Sequence, residues 1–140
     1  MVKEKIDLLL LDDDRFVTDV LKKSFDKLTV KTFMSAESAL KSFEKYDYKI
    51  AVVDFHLPKM DGIEVTKIIK ENFPKTSVII FTGITDDIEL MIKSYEAGAI
   101  NIIEKPCKIN EFKKEIMKVL DNSEKIKKEL EEGKKLLTNT

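Results

Sequence analysis

Apolar residues fall along this chain in two alternating rhythms. The first is a short run with little interruption: Leu8-Leu9-Leu10-Leu11 after Ile6, Ile50-Ala51-Val52-Val53, Val78-Ile79-Ile80-Phe81, and Ile100-Asn101-Ile102-Ile103. Such runs predict strands buried on both faces, as in a parallel sheet. Thr29-Val30-Lys31-Thr32-Phe33 alternates polar with apolar residues and predicts an edge strand.

The second rhythm repeats every three or four residues and predicts amphipathic helices between the runs. Val17, Val20, Leu21, Ser24, Phe25 and Leu28 place one helix up to about Leu28. Ser35 caps a second, over Ala36, Ala39, Leu40 and Phe43. Ile63, Val65, Ile68 and Ile69 mark a third that ends near Phe73, before Pro74. A fourth starts at Thr85 or Asp86, runs through Ile88, Met91, Ile92 and Tyr95, and stops at Gly98. The last begins near Ile109-Asn110 and buries Phe112, Ile116, Val119 and Leu120. Strand and helix alternate throughout, which predicts an α/β fold with a parallel sheet and helices on both faces.

Composition narrows the function classes. A chain of 140 residues suits one domain with its own core. The net charge of −1 and the single arginine, Arg15, give no general pull towards nucleic acid or anionic lipid, so neither is an expected partner. Cys107 is the only cysteine, which excludes an intramolecular disulfide and a Cys-rich zinc site and leaves packing as its expected role. No apolar run approaches the roughly 18 residues of a membrane span. The opening Met1-Val2-Lys3-Glu4-Lys5 lacks the apolar stretch of a signal peptide. A soluble cytoplasmic protein is expected.

Chemistry sits where the apolar runs stop. The first ends in Asp12-Asp13-Asp14 and the third in Asp54. Asp54 alone reads equally well as a helix cap or as an acid delivered by a strand end, which is how open α/β sheets present chemistry. The two acid-tipped strands are the most uniformly apolar, so they are expected to be central and adjacent, gathering Asp12, Asp13 and Asp54. Converging carboxylates repel, and a hard divalent cation with oxygen ligands, such as Mg2+, relieves that repulsion. A carboxylate can also attack phosphorus to give an aspartyl phosphate. Thr82 and Lys105 end the fourth and fifth runs and offer a hydroxyl and an ammonium for phosphoryl oxygens. Pro106 keeps Lys105 extended rather than helical.

With these residues in place, the chain resembles the receiver domain of two-component response regulators over residues of about 5–120. The resemblance is carried by Asp12-Asp13, by Asp54-Phe55-His56-Leu57-Pro58-Lys59-Met60-Asp61-Gly62, and by Thr82, Ala97-Gly98-Ala99 and Lys105-Pro106. It implies a flavodoxin-like, doubly wound five-stranded parallel sheet of order 2-1-3-4-5 with five helices. It implies that Asp54 is the phosphoacceptor, served by a sensor histidine kinase or phosphotransfer protein. Asp13 would ligate Mg2+ directly, Asp12 largely through water, and His56 through its main-chain carbonyl. Thr82 and Lys105 would hold the phosphoryl oxygens, and the Lys105-Pro106 bond is commonly cis in this family. The protein would be a switch acting on an output domain or protein, rather than a turnover enzyme, with a homodimer as a further candidate state.

Departures from the family pattern bear on the readout. Ile102 stands where Phe or Tyr usually precedes the lysine by three residues, and reads as core filling. His56 reads as an exposed loop residue; by resemblance, it and Ile84 border the path of hydrolytic water. Asp14 reads as a helix start. Residues 1–121 are expected to form the receiver and 122–140 a charged helical extension or linker. Ser123, Ile126, Leu130, Gly133 and Leu137 carry a weak heptad seam through it. It reads either as a solvated end of the last helix or as the start of a signalling helix. Two rivals remain at this level. A haloacid-dehalogenase-type phosphatase needs an acid two residues after the nucleophile, where this chain has His56. A pseudo-receiver adaptor would need none of Asp12, Asp13, Asp54, Thr82 and Lys105.

Overall fold

A computed structural model describes residues 2–84 and 86–138. The elements in chain order are β1 (Glu4–Leu11), α1 (Arg15–Ser24), β2 (Val30–Phe33), α2 (Ala36–Ser42), β3 (Tyr46–Asp54), α3 (Gly62–Asn72), β4 (Ser77–Thr82), α4 (Ile88–Glu96), β5 (Asn101–Glu104) and α5 (Ile109–Thr138). The strands form one sheet of order β2-β1-β3-β4-β5, and every neighbouring pair is parallel. The weakly patterned β2 is an edge, and the uninterrupted β1 and β3 are neighbours, as their sequences require.

Two cores fill the space above and below the sheet, because alternate strand residues point to opposite faces. On one face Leu8, Leu10, Ile50, Val52, Ile79, Phe81 and Ile103 pack against Leu21 and Phe25, and against Phe112, Ile116 and Leu120 of α5. On the other, Leu9, Leu11, Ala51, Val53 and Val78 meet Ala36, Ala39 and Phe43, and Val65 and Ile69 of α3.

Several boundaries differ from the periodicity, for local reasons. The expected helix to Leu28 ends at Ser24. There Phe25 turns extended and buries its ring, 6.2 Å from that of Phe112, while Leu28 packs on the core from the following bend. β3 begins at Tyr46, before the apolar run starts at Ile50. Its first residues pair with β1 alone, since β4 joins only at Ile50 opposite Ser77, so this half is not covered like a central strand. The cap of α4 is Asp87, whose Oδ1 accepts the Leu90 N–H at 3.1 Å, rather than Asp86; Thr85 lies outside the described residues. Gly98 ends that helix at φ +112, and a Cβ there would also sit 2.6 Å from Cγ of Lys70. Only glycine satisfies both constraints.

α4 forms where predicted, but most of its apolar residues turn outward. Ile88, Ile92 and Tyr95 are exposed, while Ser94 and Ala97 are buried. Ile102 is half-buried and belongs to neither core, so it is not core filling; its neighbour Ile103 points inward. α5 continues without a break past residue 121, and residues 121–132 are all exposed. No helix among the described residues is long and apolar enough to cross a membrane.

The lower end of β3 carries a buried polar knot. Tyr48 shares a 2.8 Å hydrogen bond with Ser42 and packs edge-on against Phe43 at 4.9 Å, while its carbonyl accepts from Thr76 Oγ1 at 2.8 Å. Burial pushes the Tyr48 phenol up to about 12. Because the folded state holds this proton more tightly, the associated stability is present below pH 10 and is lost as pH rises towards 12. In an absorbance titration at 295 nm, Tyr48→Phe is expected to remove a component ionising near pH 12. It should also flatten the loss of stability across that range.

Candidate functional site

Strand register builds the site. Leu11 lies opposite Val53, so Asp12 and Asp54, each the next residue, leave the two central strands side by side. Asp54 in turn lies opposite Phe81, one residue before Thr82 at the end of β4. Carboxylate oxygens of Asp12, Asp13 and Asp54 all lie within 4.8 Å of one another. Asp12 and Asp54 are buried and Asp13 is exposed.

Hydrogen bonds fix each acid's setting. Asp12 Oδ1 accepts the Asp14 N–H at 3.0 Å, and Asp14 Oδ1 accepts the Phe16 N–H at 2.9 Å, making Asp14 the cap of α1. The turn between them presents Asp13 to solvent. Asp54 Oδ1 accepts the His56 N–H at 3.3 Å, which holds the main chain of that loop beside the carboxylate. The His56 side chain itself is exposed and lies edge-on to Phe55 at 4.9 Å.

The loop after Asp54 is closed by its far end. The Gly62 N–H donates to Phe55 O at 2.9 Å, and Asp61 Oδ1 accepts the Glu64 N–H at 2.9 Å to start α3. A Cβ on Gly62 would lie 2.8 Å from the Asp54 carbonyl oxygen and 2.9 Å from the Phe55 Cα, so the approach needs glycine.

The other strand ends complete the constellation. Thr82 is buried, and its Oγ1 accepts the Ile84 N–H at 3.1 Å. The Lys105 N–H donates to Thr82 O at 2.8 Å, tying the two strand ends together, and the Lys105-Pro106 bond is cis. Lys105 Nζ reaches Asp12 Oδ2 at 2.6 Å and Asp54 Oδ1 at 3.3 Å, and lies 4.9 Å from the centroid of the Phe81 ring. All five residues expected at strand ends therefore converge at one edge of the sheet, with the main chain of His56 alongside.

Electrostatics follows from this crowding. Burial first, and then the Asp12 charge, raise the Asp54 carboxyl above its ordinary value, and Lys105 only partly offsets them. Burial alone would lower the Lys105 ammonium, but its contacts to Asp12 and Asp54 prevail and hold it above its ordinary value. Three carboxylates against one ammonium leave surplus negative charge. Oxygen-only donors with that surplus fit a hard divalent cation, so the group can hold a metal ion.

Comparison with known proteins then decides the family. The pattern defining the response regulator receiver domain matches residues 8–117. The chain belongs to the response regulator receiver domain family. Among its relatives, sporulation initiation phosphotransferase F of Bacillus subtilis is 32% identical over 122 residues, covering 86% of this chain and 96% of that protein. The transcriptional regulator NtrC of Proteus hauseri is 30% identical over 110 residues, covering 77% of this chain and 23% of that one. This receiver thus spans under a quarter of NtrC, and about half of the heme response regulator HssR of Staphylococcus saprophyticus. Among solved structures, a CheY-like receiver domain protein of Methanospirillum hungatei superposes with a TM-score of 0.80 at 28% identity, covering 89% of this chain and 98% of that one. The structure of an adenylate cyclase from Rhodopirellula baltica matches with a TM-score of 0.80 at 26% identity, covering 99% of this receiver and 100% of that chain.

One contributor escaped sequence reasoning, and a second was legible only in part. Phe81 reads only as strand filling, yet its ring face lies against the Lys105 ammonium. Gly62 carries a turn signal, but its tight approach to the Asp54 carbonyl depends on how α3 docks.

Folding raises Asp54 above its unfolded value, so the stability tied to its proton is present at low pH and lost as pH rises through the carboxylate range. Asp54→Asn is therefore expected to raise Tm by about a few degrees at pH 7. The gain should vanish in melts recorded at acid pH, where Asp54 is protonated in both states. Gly62→Ala is expected to cost about 1–3 kcal/mol in urea unfolding, because backbone atoms must move to admit the methyl group.

Proposed function

We propose that this receiver accepts a phosphoryl group on Asp54 from the phosphohistidine of a sensor histidine kinase or phosphotransfer protein, and thereby switches the engagement of an output partner. The observation that carries this reading is the convergence of Asp12, Asp13 and Asp54 within 4.8 Å, with Lys105 touching two of them. An adaptor working by contact alone has no use for that arrangement.

Asp12, Asp13 and Asp54 would hold Mg2+, with the main-chain carbonyl of His56 as a further ligand. A bound divalent cation supplies neutralisation of the charge that gathers on phosphoryl oxygens during transfer. An Asp54 carboxylate oxygen forms the new bond to phosphorus as the bond from phosphorus to the imidazole nitrogen breaks. The electron pair of that bond leaves with the imidazole. Lys105, already beside Asp54, supplies an ammonium to a phosphoryl oxygen. Thr82 supplies its hydroxyl hydrogen, which can donate to a phosphoryl oxygen while the same oxygen accepts the Ile84 N–H. Water later hydrolyses the acyl phosphate, so the chain acts as a switch that resets rather than as a turnover enzyme.

The outward face of α4, with Ile88, Ile92 and Tyr95 exposed, supports an apolar contact with the output partner. Because residues 121–132 of α5 are all exposed, residues 1–121 would be the switch domain, and the extension from 122 onward would be a linker.

Incubation with acetyl phosphate and Mg2+, followed by intact mass measurement, is expected to show one added phosphoryl group. The gain should be absent in Asp54→Asn and after chelation of the metal. An unmodified wild-type chain would count against the proposal.

A further inference from the structure

We propose that the extension of α5 pairs with the same segment of a second copy of this chain, as a parallel two-stranded coiled coil. The inference goes beyond the linker reading of the extension and does not depend on whether Asp54 accepts a phosphoryl group.

Position by position, this half of α5 follows a seven-residue repeat. Ser123, Leu130 and Leu137 take position a, and Val119, Ile126 and Gly133 take position d. Between residues 121 and 137 every Ile and Leu falls at a, d or g. Ile126 and Leu130 are 58% and 62% exposed, although the helix that carries them is fully formed, and neither belongs to the two cores of its own domain. Helices in proteins owe most of their stability to packing of an apolar face, and here that face still has packing to gain.

The direction of the stripe leaves room for a second helix. Glu115 Oε2 accepts from Asn101 Nδ2 at 3.0 Å, so its flank of α5 faces the edge strand β5. Lys113, on the other flank, lies 5.9 Å from the centroid of the Phe25 ring beside α1. Ile126 and Gly133 follow Glu115 by about three and five whole turns and so share its flank. The stripe therefore points past the free edge of the sheet. Glu124, 3.7 Å from Lys49 in the first half of β3, marks where α5 leaves the domain, at the edge opposite the acid cluster. Pairing there covers none of Asp12, Asp13 and Asp54.

The charges beside the seam choose the partner and its direction. In a parallel pair each g residue faces the e residue of the next repeat on the partner. Glu129 at g then meets Lys134 of the second copy, and the two-fold symmetry of the pair repeats the contact. An antiparallel pair instead sets e against e and g against g. That arrangement lines Lys127 and Lys134 against lysines and leaves Glu129 without a cation. Ser123 and Gly133 bring no apolar side chain to the seam, so the association is weak and reversible.

Sedimentation equilibrium of the full chain over a wide concentration range tests this. Wild type is expected to show a reversible monomer–dimer equilibrium. Glu129→Lys should weaken it about threefold to 10-fold, and adding Lys134→Glu should restore it. Gly133→Leu, which fills the gap in the seam, should tighten the dimer at least about 10-fold, well beyond Gly133→Ala, which improves helix propensity alone. Circular dichroism confirms that each variant keeps its helix. A wild-type chain that stays monomeric at its highest soluble concentration overturns the proposal. So does a dimer that Glu129→Lys leaves unchanged, one that the double substitution fails to restore, or a gain from Gly133→Leu no larger than that from Gly133→Ala. A dimer indifferent to these changes but broken by Ile92→Ser assigns self-association to the α4 face and also overturns it.

Discussion

Like charges are forced together at the middle of this sheet, and much of the surrounding structure manages that repulsion. β1 and β3 are adjacent because both are apolar enough to be covered on both faces, and their register then leaves Asp12 and Asp54 at neighbouring strand ends. Neither acid can retreat, since each is continuous with a buried strand. The counter-charge arrives from 93 residues away, on a lysine whose backbone is tied to the end of β4. The parallel order of β3, β4 and β5 is therefore an electrostatic requirement of the site as much as a packing solution.

The remaining contacts limit how the acids can move. Asp14 and Asp61 each cap a helix, and through those helices they anchor the loops that carry Asp13 and follow Asp54. Gly62 allows α3 to start against the Asp54 carbonyl, so the loop is held at both ends. Thr82 and Lys105 share a backbone hydrogen bond, and displacement of either strand end is felt by the other. Small shifts of charge in the cluster thus have stiff routes to the loops before α4 and α5.

Away from the cluster, the protein keeps apolar surface in the open. α4 and its cap bury Ser94 and Ala97 while showing Ile88, Ile92 and Tyr95 to solvent, and α5 extends well past the buried Leu120. Ile102 adds a half-buried aliphatic where the family commonly places an aromatic ring. At that position there is no aromatic ring whose rotamer could change.

The division between sequence and tertiary structure follows the range of the forces involved. Element type and order were legible because burial on two faces, burial on one face and helix capping each leave a local pattern, as in Leu8–Leu11, Thr29–Phe33 and Ser35. The site residues were legible for the same reason: strands end abruptly, and chemistry is written at those ends in Asp12, Asp54, Thr82 and Lys105. Long-range packing decided the rest. Phe25 ends α1 early to reach Phe112, β3 gains Tyr46–Lys49 because β1 is there to pair with them, and α4 turns an apolar stripe outward. A periodicity cannot say which neighbour, if any, will cover it. The preference of Lys105 for Asp12 over Asp54 was equally invisible, because it depends on distances across three strands.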